Sequence, residues 1–264
     1  MTTALVTRRD YLDGQRRRII GRAIAGSMAS ALPIPFLDDW AVGAIVGTGY
    51  RRIAAAHQID LDDEAVTALV HGTSKPTSIG SIAVAGVMAR LVGRAAKRMM
   101  VVLATVNRAR SASRTFVTMT LFDHYCAKLH TGLSLDRETA LALRDEIGKA
   151  IDNTPGALSF HPFRRGASAA IRATLRAPLE LADLASRGAV RRLLAPKSEI
   201  TEAEAVDELD QTIEAELARK TGFLSRSVAA IEVQLSSEAN PFLDAVIDNL
   251  DRRWRARMAV RPKP

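Results

Sequence analysis

The chain has 264 residues, 47% apolar and 25% charged, which excludes bulk disorder and leaves ample material for a core. Its formal net charge is +8, and a single cysteine, Cys126, excludes an intrachain disulfide and suits a reducing compartment. Aromatics are only 5%, while alanine, leucine and arginine dominate, a balance that favours helix over sheet because these side chains lose little freedom in a helix.

The N-terminal stretch carries Asp10 and Asp13 and has no apolar run directly after its first basic residues, so it does not read as a secretory signal. A first helix is expected from about Arg8 to Leu32. Ile19, Ile20, Ala23, Ile24 and Met28 form its apolar stripe, with Arg16, Arg17, Arg18 and Arg22 near its start. Pro33 and Pro35 end it. Ile34, Pro35, Phe36, Leu37 and Trp40 make an apolar turn. Exposed, that turn is an insertion tip or docking knob. Buried, it is a hydrophobic staple, the safer reading because Asp38 and Asp39 resist entry into lipid. A second helix is expected from Pro35 to His57. A third runs from Asp62 to His71, capped by Asp60 or Asp62 and stopped by Gly72. The loop from Gly72 to Ser78 leads into a long helical region, Ile79 to His130, broken near Arg108 to Ser113 and ended by Gly132.

In the rear part, Leu135 to Ile151 reads as an amphipathic helix, with turns at Asn153–Gly156 and His161–Pro162. Phe163 to Leu194 reads as a basic helix kinked at Pro178. Ile200 to Ser236 reads as one long charged helix, with Ala205, Leu209, Ile213 and Leu217 as its stripe. Asn240-Pro241 opens the last helix, Phe242 to Met258. No strand-like alternation and no fixed-period repeat is read. The expected fold is all-α: a multi-helix bundle with glycine/alanine-rich inner helices and charged outer helices. A composition shift near Gly132 separates a basic glycine/alanine-rich region, 1–132, from a charged amphipathic region, 133–264. These are either two subdomains or the inner and outer helices of one bundle. The longest charge-free runs, Ala23–Leu37 and Pro76–Ala89, fall short of the roughly 20 apolar residues of a membrane span.

Charge is unevenly placed. Up to His130 there are 17 Lys/Arg against 9 Asp/Glu, and from Thr131 onward 20 against 20. No acidic residue lies between Glu64 and Asp123, whereas Glu199 to Glu216 holds eight carboxylates and no base. The C-terminal stretch is basic again, through Arg252, Arg253, Arg255, Arg257, Arg261 and Lys263. Such blocks attract polyanions, or else they neutralise each other within the fold. Arg90, Arg94, Lys97 and Arg98 fall on one helix face beside aliphatic bulk, a pattern suited to an anionic interface. With Phe36 and Trp40 they form the candidate membrane or partner surface. Ser81, Ala85, Ala89 and Gly93, and Gly43 with Gly47, form small-residue strips that let another helix approach.

Chemistry-bearing constellations are thin. Cys126 and His130 share a helix face but His124 points elsewhere, and zinc wants four ligands at recognisable spacing, so no metal site is read. His57 and His71 sit at helix C-termini, and the Asp38-Asp39 and Asp60–Glu64 carboxylates at helix starts, where capping explains them. Gly72-Thr-Ser-Lys75 lacks the frame of a phosphate loop. No catalytic residue and no cofactor is assigned.

The stretch PIPFLDDWAVGAIVGTGYRRIAAAHQIDLDDEAV, Pro33 to Val66, resembles a pattern in bacterial EcsC-like proteins and in helical domains that accompany some membrane-associated GTPases. It shares a Pro-x-Pro entry, an Asp shortly after, a Gly/Ala-rich helix, an R-x-I-A segment and an acidic restart. The paired Asp38-Asp39 departs from it. The resemblance implies an all-α, membrane-associated protein and carries over no catalytic residue. The function expected is therefore a non-enzymatic helical protein at the cytoplasmic membrane surface, peripheral on the inner membrane of a bacterium. The alternative is a soluble adaptor or homo-oligomer whose 199–216 acidic helix meets a basic face on another subunit. Few aromatics and no reading-head motif argue against nucleic acid.

Overall fold

A computed structural model describes residues 9–29, 37–74, 99–157, 201–219, 223–237 and 241–260. Phe36, Arg90, Arg94, Lys97, Arg98, the strip from Ser81 to Gly93 and the expected 163–194 helix lie outside the described residues. Within them the fold is an all-α bundle. A 3-10 turn, Asp10–Leu12, leads into α1 (Asp13–Ala29), α2 (Leu37–Ala56) and α3 (Asp63–His71). Then come α4 (Met99–Lys128), α5 (Arg137–Asp152), α6 (Glu202–Ala218), α7 (Phe223–Ser237) and α8 (Pro241–Val260).

The centre is α4. Every residue from Met119 to Cys126 is buried, and α1, α2, α5 and α8 pack around it. Over that stretch the helix has no solvent stripe, which weakens its amphipathic period. The break expected at Arg108–Ser113 does not occur, and α4 runs unbroken through it. Ala112 and Ser113 are fully buried there, small enough for a neighbour to pack on, while Arg110 and Ser111 face solvent. Buried side chains from Leu12 to Trp254 join in one core cluster, so the core passes through both halves of the chain.

The strip of Gly43 and Gly47 serves packing inside the chain. It faces α3, with Gly43 against the His71 ring and Gly47 against Val66 and Val70. Gly49 on the same helix admits Met119 and Arg22, whose atoms would stand 2.6 and 2.8 Å from a Cβ built at that position.

Two short extended pieces, β1 (Asp60–Leu61) and β2 (Ser134–Leu135), pair in parallel, a feature with no alternation to announce it. They disclose a structural repeat that the sequence reading missed. Each follows a helix packed into the core, contains a buried leucine (Leu61, Leu135), and hands over to an aspartate that caps the next helix. Asp62 accepts from the Ala65 N–H at 2.6 Å, and Asp136 from the Thr139 N–H at 2.7 Å. Gln58 and Gly132, at equivalent points before the strands, both have positive φ, 59° and 122°. The two helices so launched, α3 and α5, pack on each other. Arg144 of α5 donates to the Leu69 and Val70 carbonyls at 3.0 and 3.4 Å, tying off the end of α3. Gly72, at φ +66°, closes that helix where a side chain would meet the Arg144 guanidinium.

The expected long helix from Ile200 to Ser236 is in fact two, α6 and α7. Arg219 leaves the helix in an extended conformation at ψ 131°. Arg17 of α1 helps hold the break: its Nη2 donates to the Leu217 carbonyl at 3.2 Å and to Ser225 Oγ of α7 at 2.9 Å. At its start, α6 carries a capping box, with Thr201 and Glu204 bonding each other's backbone N–H.

Two carboxylates of the acidic block on α6, Asp210 and Glu214, turn inward. Arg22, a side chain 1% exposed, donates to Asp210 at 2.5 Å, Glu214 at 2.8 Å and Thr48 at 2.6 Å. Arg52 grips the same Asp210 through Nε at 2.9 Å and Nη2 at 2.5 Å. Burial pushes the Asp210 carboxyl up, but hydrogen bonds and charge from Arg52 and Arg22 outweigh it and hold the group below the usual carboxylate range. The front cations and the rear carboxylates thus neutralise each other at this point, as one of the two sequence readings allowed.

Candidate membrane or partner surface

The surface is built on α8. Pro241 opens the helix, Asp244 lies in its first turn and Arg257 in its last, all matching the helix dipole. Val246, Ile247, Leu250 and Trp254 share the face turned to the core and are buried. Trp254 meets the Tyr125 ring edge-on, with centroids 5.0 Å apart. Polar contacts surround that seam. Asn249 donates to the Ala150 carbonyl and to Thr154 Oγ1, at 3.3 and 3.1 Å. Arg253 and Arg257 both reach Glu146 of α5, at 2.9 and 3.1 Å.

Beyond this seam the helix projects. Every residue from Arg255 to Val260 is exposed, Met258 at 45% and Val260 at 84%. Arg252 and Arg255 stand exposed beside them, with Arg255 only loosely paired to Asp251 at 3.6 Å. At the base of this end lies a concavity of about 640 Å³, walled by Ala142, Trp254, Met258 and Val260 with Glu138, Glu146, Arg253 and Arg257. Cations next to exposed apolar side chains on a protruding helix can lie against an anionic, partly apolar surface.

Trp40, grouped with the surface residues on sequence grounds, belongs to the core instead. It is 5% exposed and donates from Nε1 to Glu202 at 3.1 Å. The buried alternative for its turn holds at this residue, since an indole with a hydrogen-bond partner is comfortable inside.

His124 of α4 and His130 just beyond its end do not converge on a site. Among the described residues no group of three or more His, Cys, Asp or Glu is arranged to hold a metal ion. His124 Nδ1 lies 2.5 Å from the Tyr11 hydroxyl and its Nε2 2.6 Å from Asp251. A carboxylate at Nε2 calls for a proton there, so Nδ1 accepts from Tyr11. Burial lowers the His124 pKa despite Asp251, and burial also lowers that of His130, which meets the Tyr125 hydroxyl at 3.1 Å. Burial, then the charge of Asp123, raises the Cys126 thiol, which leaves it a neutral packing group. His57 reaches Asp123 at 2.6 Å, and Asp123 is wholly buried with Oδ2 unpartnered. Burial raises the Asp123 carboxyl, partly offset by His57.

A second concavity of about 630 Å³ lies between α2, α3, α4 and α5. Val42, Val46 and Leu141 line it, and its cations already have partners. Lys149 pairs with Asp145 at 2.6 Å, Arg114 with Asp152 at 3.6 Å, and Arg144 caps α3. No arrangement of nucleophile, base and oxyanion donors is assembled in either concavity among the described residues.

Among the described helices none is long and apolar enough to cross a membrane. Comparison with known proteins found no matching family model, no matching curated protein and no matching solved structure.

Proposed function

We propose that this chain is a non-enzymatic helical protein that acts at the cytoplasmic surface of a membrane. The observation that carries the reading is the projecting end of α8, where Arg252 and Arg255 flank exposed Met258 and Val260. The sequence adds Arg261 and Lys263 immediately after it, and the acid-free stretch with Arg90, Arg94, Lys97 and Arg98 elsewhere. Each cation near an anionic leaflet contributes about 1 kcal/mol. The absence of a spanning helix among the described residues suits peripheral contact.

The adaptor alternative drew its motive from an acidic helix free to meet another subunit. Asp210 and Glu214 of that helix are instead held by Arg22, Arg52 and Arg18 of the same chain. Sedimentation with vesicles tests the proposal. The chain is expected to pellet with phosphatidylglycerol-containing vesicles and not with pure phosphatidylcholine. Arg252→Ala with Arg255→Ala is expected to weaken partitioning by about 2 kcal/mol, roughly thirtyfold. Equal, negligible binding to both vesicle types would sink the reading and return the adaptor to first place.

A further inference from the structure

The concavity between α2, α3, α4 and α5 combines an aliphatic wall, a buried donor and one surplus cation. Its volume of about 630 Å³ falls within the roughly 300–1,000 Å³ usual for ligand pockets. Val42 and Val46 of α2, Val70 of α3 and Leu141 of α5 line it and are only half-buried by their own neighbours. Gly148 of α5 also lines it, and a Cβ built there would meet nothing within 4 Å. Glycine is disfavoured inside a helix, and no close neighbour requires one at this position. What the missing side chain leaves is room in the cavity.

The donor is Tyr50, a lining side chain 3% exposed. Its ring stands edge-on to Phe122 with centroids 4.8 Å apart, yet its hydroxyl has no hydrogen-bond partner among the described residues. Burial pushes its pKa up, which keeps it a neutral donor. A buried polar group left without a partner is uncommon in proteins.

The cation is Arg144. Three cations and two carboxylates line the cavity, which leaves one net positive charge. Lys149 is neutralised by Asp145 at 2.6 Å, and Arg114 by Asp152 at 3.6 Å. Arg144 instead donates through Nε and Nη2 to the Leu69 and Val70 carbonyls, and among the described residues it has no carboxylate partner. Its charge reaches two neighbours. It opposes the burial that raises Tyr50 and adds to the burial that lowers His71.

We propose that this concavity binds an aliphatic monocarboxylate of the fatty-acid class, its carboxylate between Arg144 and the Tyr50 hydroxyl and its chain along Val42, Val46, Val70 and Leu141. The carboxylate accepts from both donors, and a guanidinium–carboxylate contact is among the stronger hydrogen bonds. Its single charge matches the one surplus cation, whereas a phosphate monoester would bring close to two. A small anion without a chain would leave the aliphatic wall in water. No residue of α8 lines this cavity, so the site and the membrane reading do not depend on each other.

Isothermal calorimetry of the full chain with decanoate tests the site, below the micelle concentration, without vesicles, and at about pH 7.5, where the probe is ionised. Saturable binding at one site per chain is expected. Acetate lacks the chain and decyltrimethylammonium lacks the negative charge, and each is expected to bind at least about tenfold more weakly. Gly148→Leu fills the space and is expected to abolish decanoate binding. Leucine suits a helix better than glycine, so the unfolding midpoint of this variant is expected to equal or exceed the parent's. Arg144→Gln is expected to weaken decanoate about tenfold and leave decyltrimethylammonium unaffected. No saturable decanoate binding, equal binding of the three probes, or undiminished decanoate binding by either folded variant overturns the proposal. Gly148→Leu decides the outcome if Arg144→Gln, which loses the tie on α3, fails to fold.

Discussion

Asp210→Ala is expected to destabilise the chain by about 3 kcal/mol, the lower end of the range for breaking a buried ion pair. The reasoning starts from Arg22, 1% exposed and placed inside the apolar stripe of α1 among Ile19, Ile20, Ala23 and Ile24. An unpaired guanidinium there has no water to turn to. Asp210 is the carboxylate that both Arg22 and Arg52 hold, and it joins α6 to α1 and α2 at once. Glu214 stays within 2.8 Å of Arg22 and limits the loss. Urea unfolding is expected to show a lower midpoint with an unchanged slope. The double change Arg22→Met with Asp210→Leu is expected to recover most of the loss, because apolar packing replaces a buried pair with little penalty. An Asp210→Ala protein within about 0.5 kcal/mol of the parent would mean the network contributes nothing. Because its pKa is depressed, the Asp210 contribution is present above the ordinary carboxylate value and is lost only as pH falls through the lowered one.

Trp254→Ala is expected to remove about 3–5 kcal/mol, the usual range for truncating a buried tryptophan. The indole is 4% exposed and fills the angle between α8 and the Tyr125 ring of α4. Its loss opens a cavity at the centre of the seam. The flanking contacts, Asn249 to Thr154 and Arg253 to Glu146, are partly exposed and too weak to close it. Thermal unfolding measures the effect, and a loss under about 1 kcal/mol would show that α8 is held by its other contacts, Val246, Ile247 and Leu250 included, without the indole. Arg255 to Val260 begin directly after Trp254 in the sequence, so the same variant is also expected to weaken vesicle binding.

Most helix positions were legible in the residues because their ends carry strong chemistry. Asp62 and Gly72 bracket α3 as expected, and Pro241 opens α8. What escaped was whatever depends on partners distant in sequence. The divide between α6 and α7 is held by Arg17 from another helix, which no periodicity could disclose. The parallel pairing of β1 with β2 involves two residues on each side, too few for an alternation. Its signal was present all the same: Leu-Asp-x-Glu occurs at Leu61–Glu64 and again at Leu135–Glu138, short enough to pass for chance. Arg22 had a signal too, a cation at a core position of the first stripe, but it was grouped with its exposed neighbours Arg17 and Arg18. Of the surface residues named from sequence, Trp40 proved interior, because an apolar turn reads alike whether covered or bare. The basic C-terminal stretch was legible as charge, and its projection from the bundle was not.

The central claim is that Asp210 and Glu214 of α6 are locked against Arg22 and Arg52 within the bundle, while the end of α8 is left facing an anionic surface. Hydrogen exchange at neutral pH, with and without phosphatidylglycerol-containing vesicles, tests it most directly. The account predicts slower exchange over residues 251–260 when vesicles are present and no change over residues 202–218. Unchanged exchange at 251–260, or new protection centred on 202–218, would contradict it.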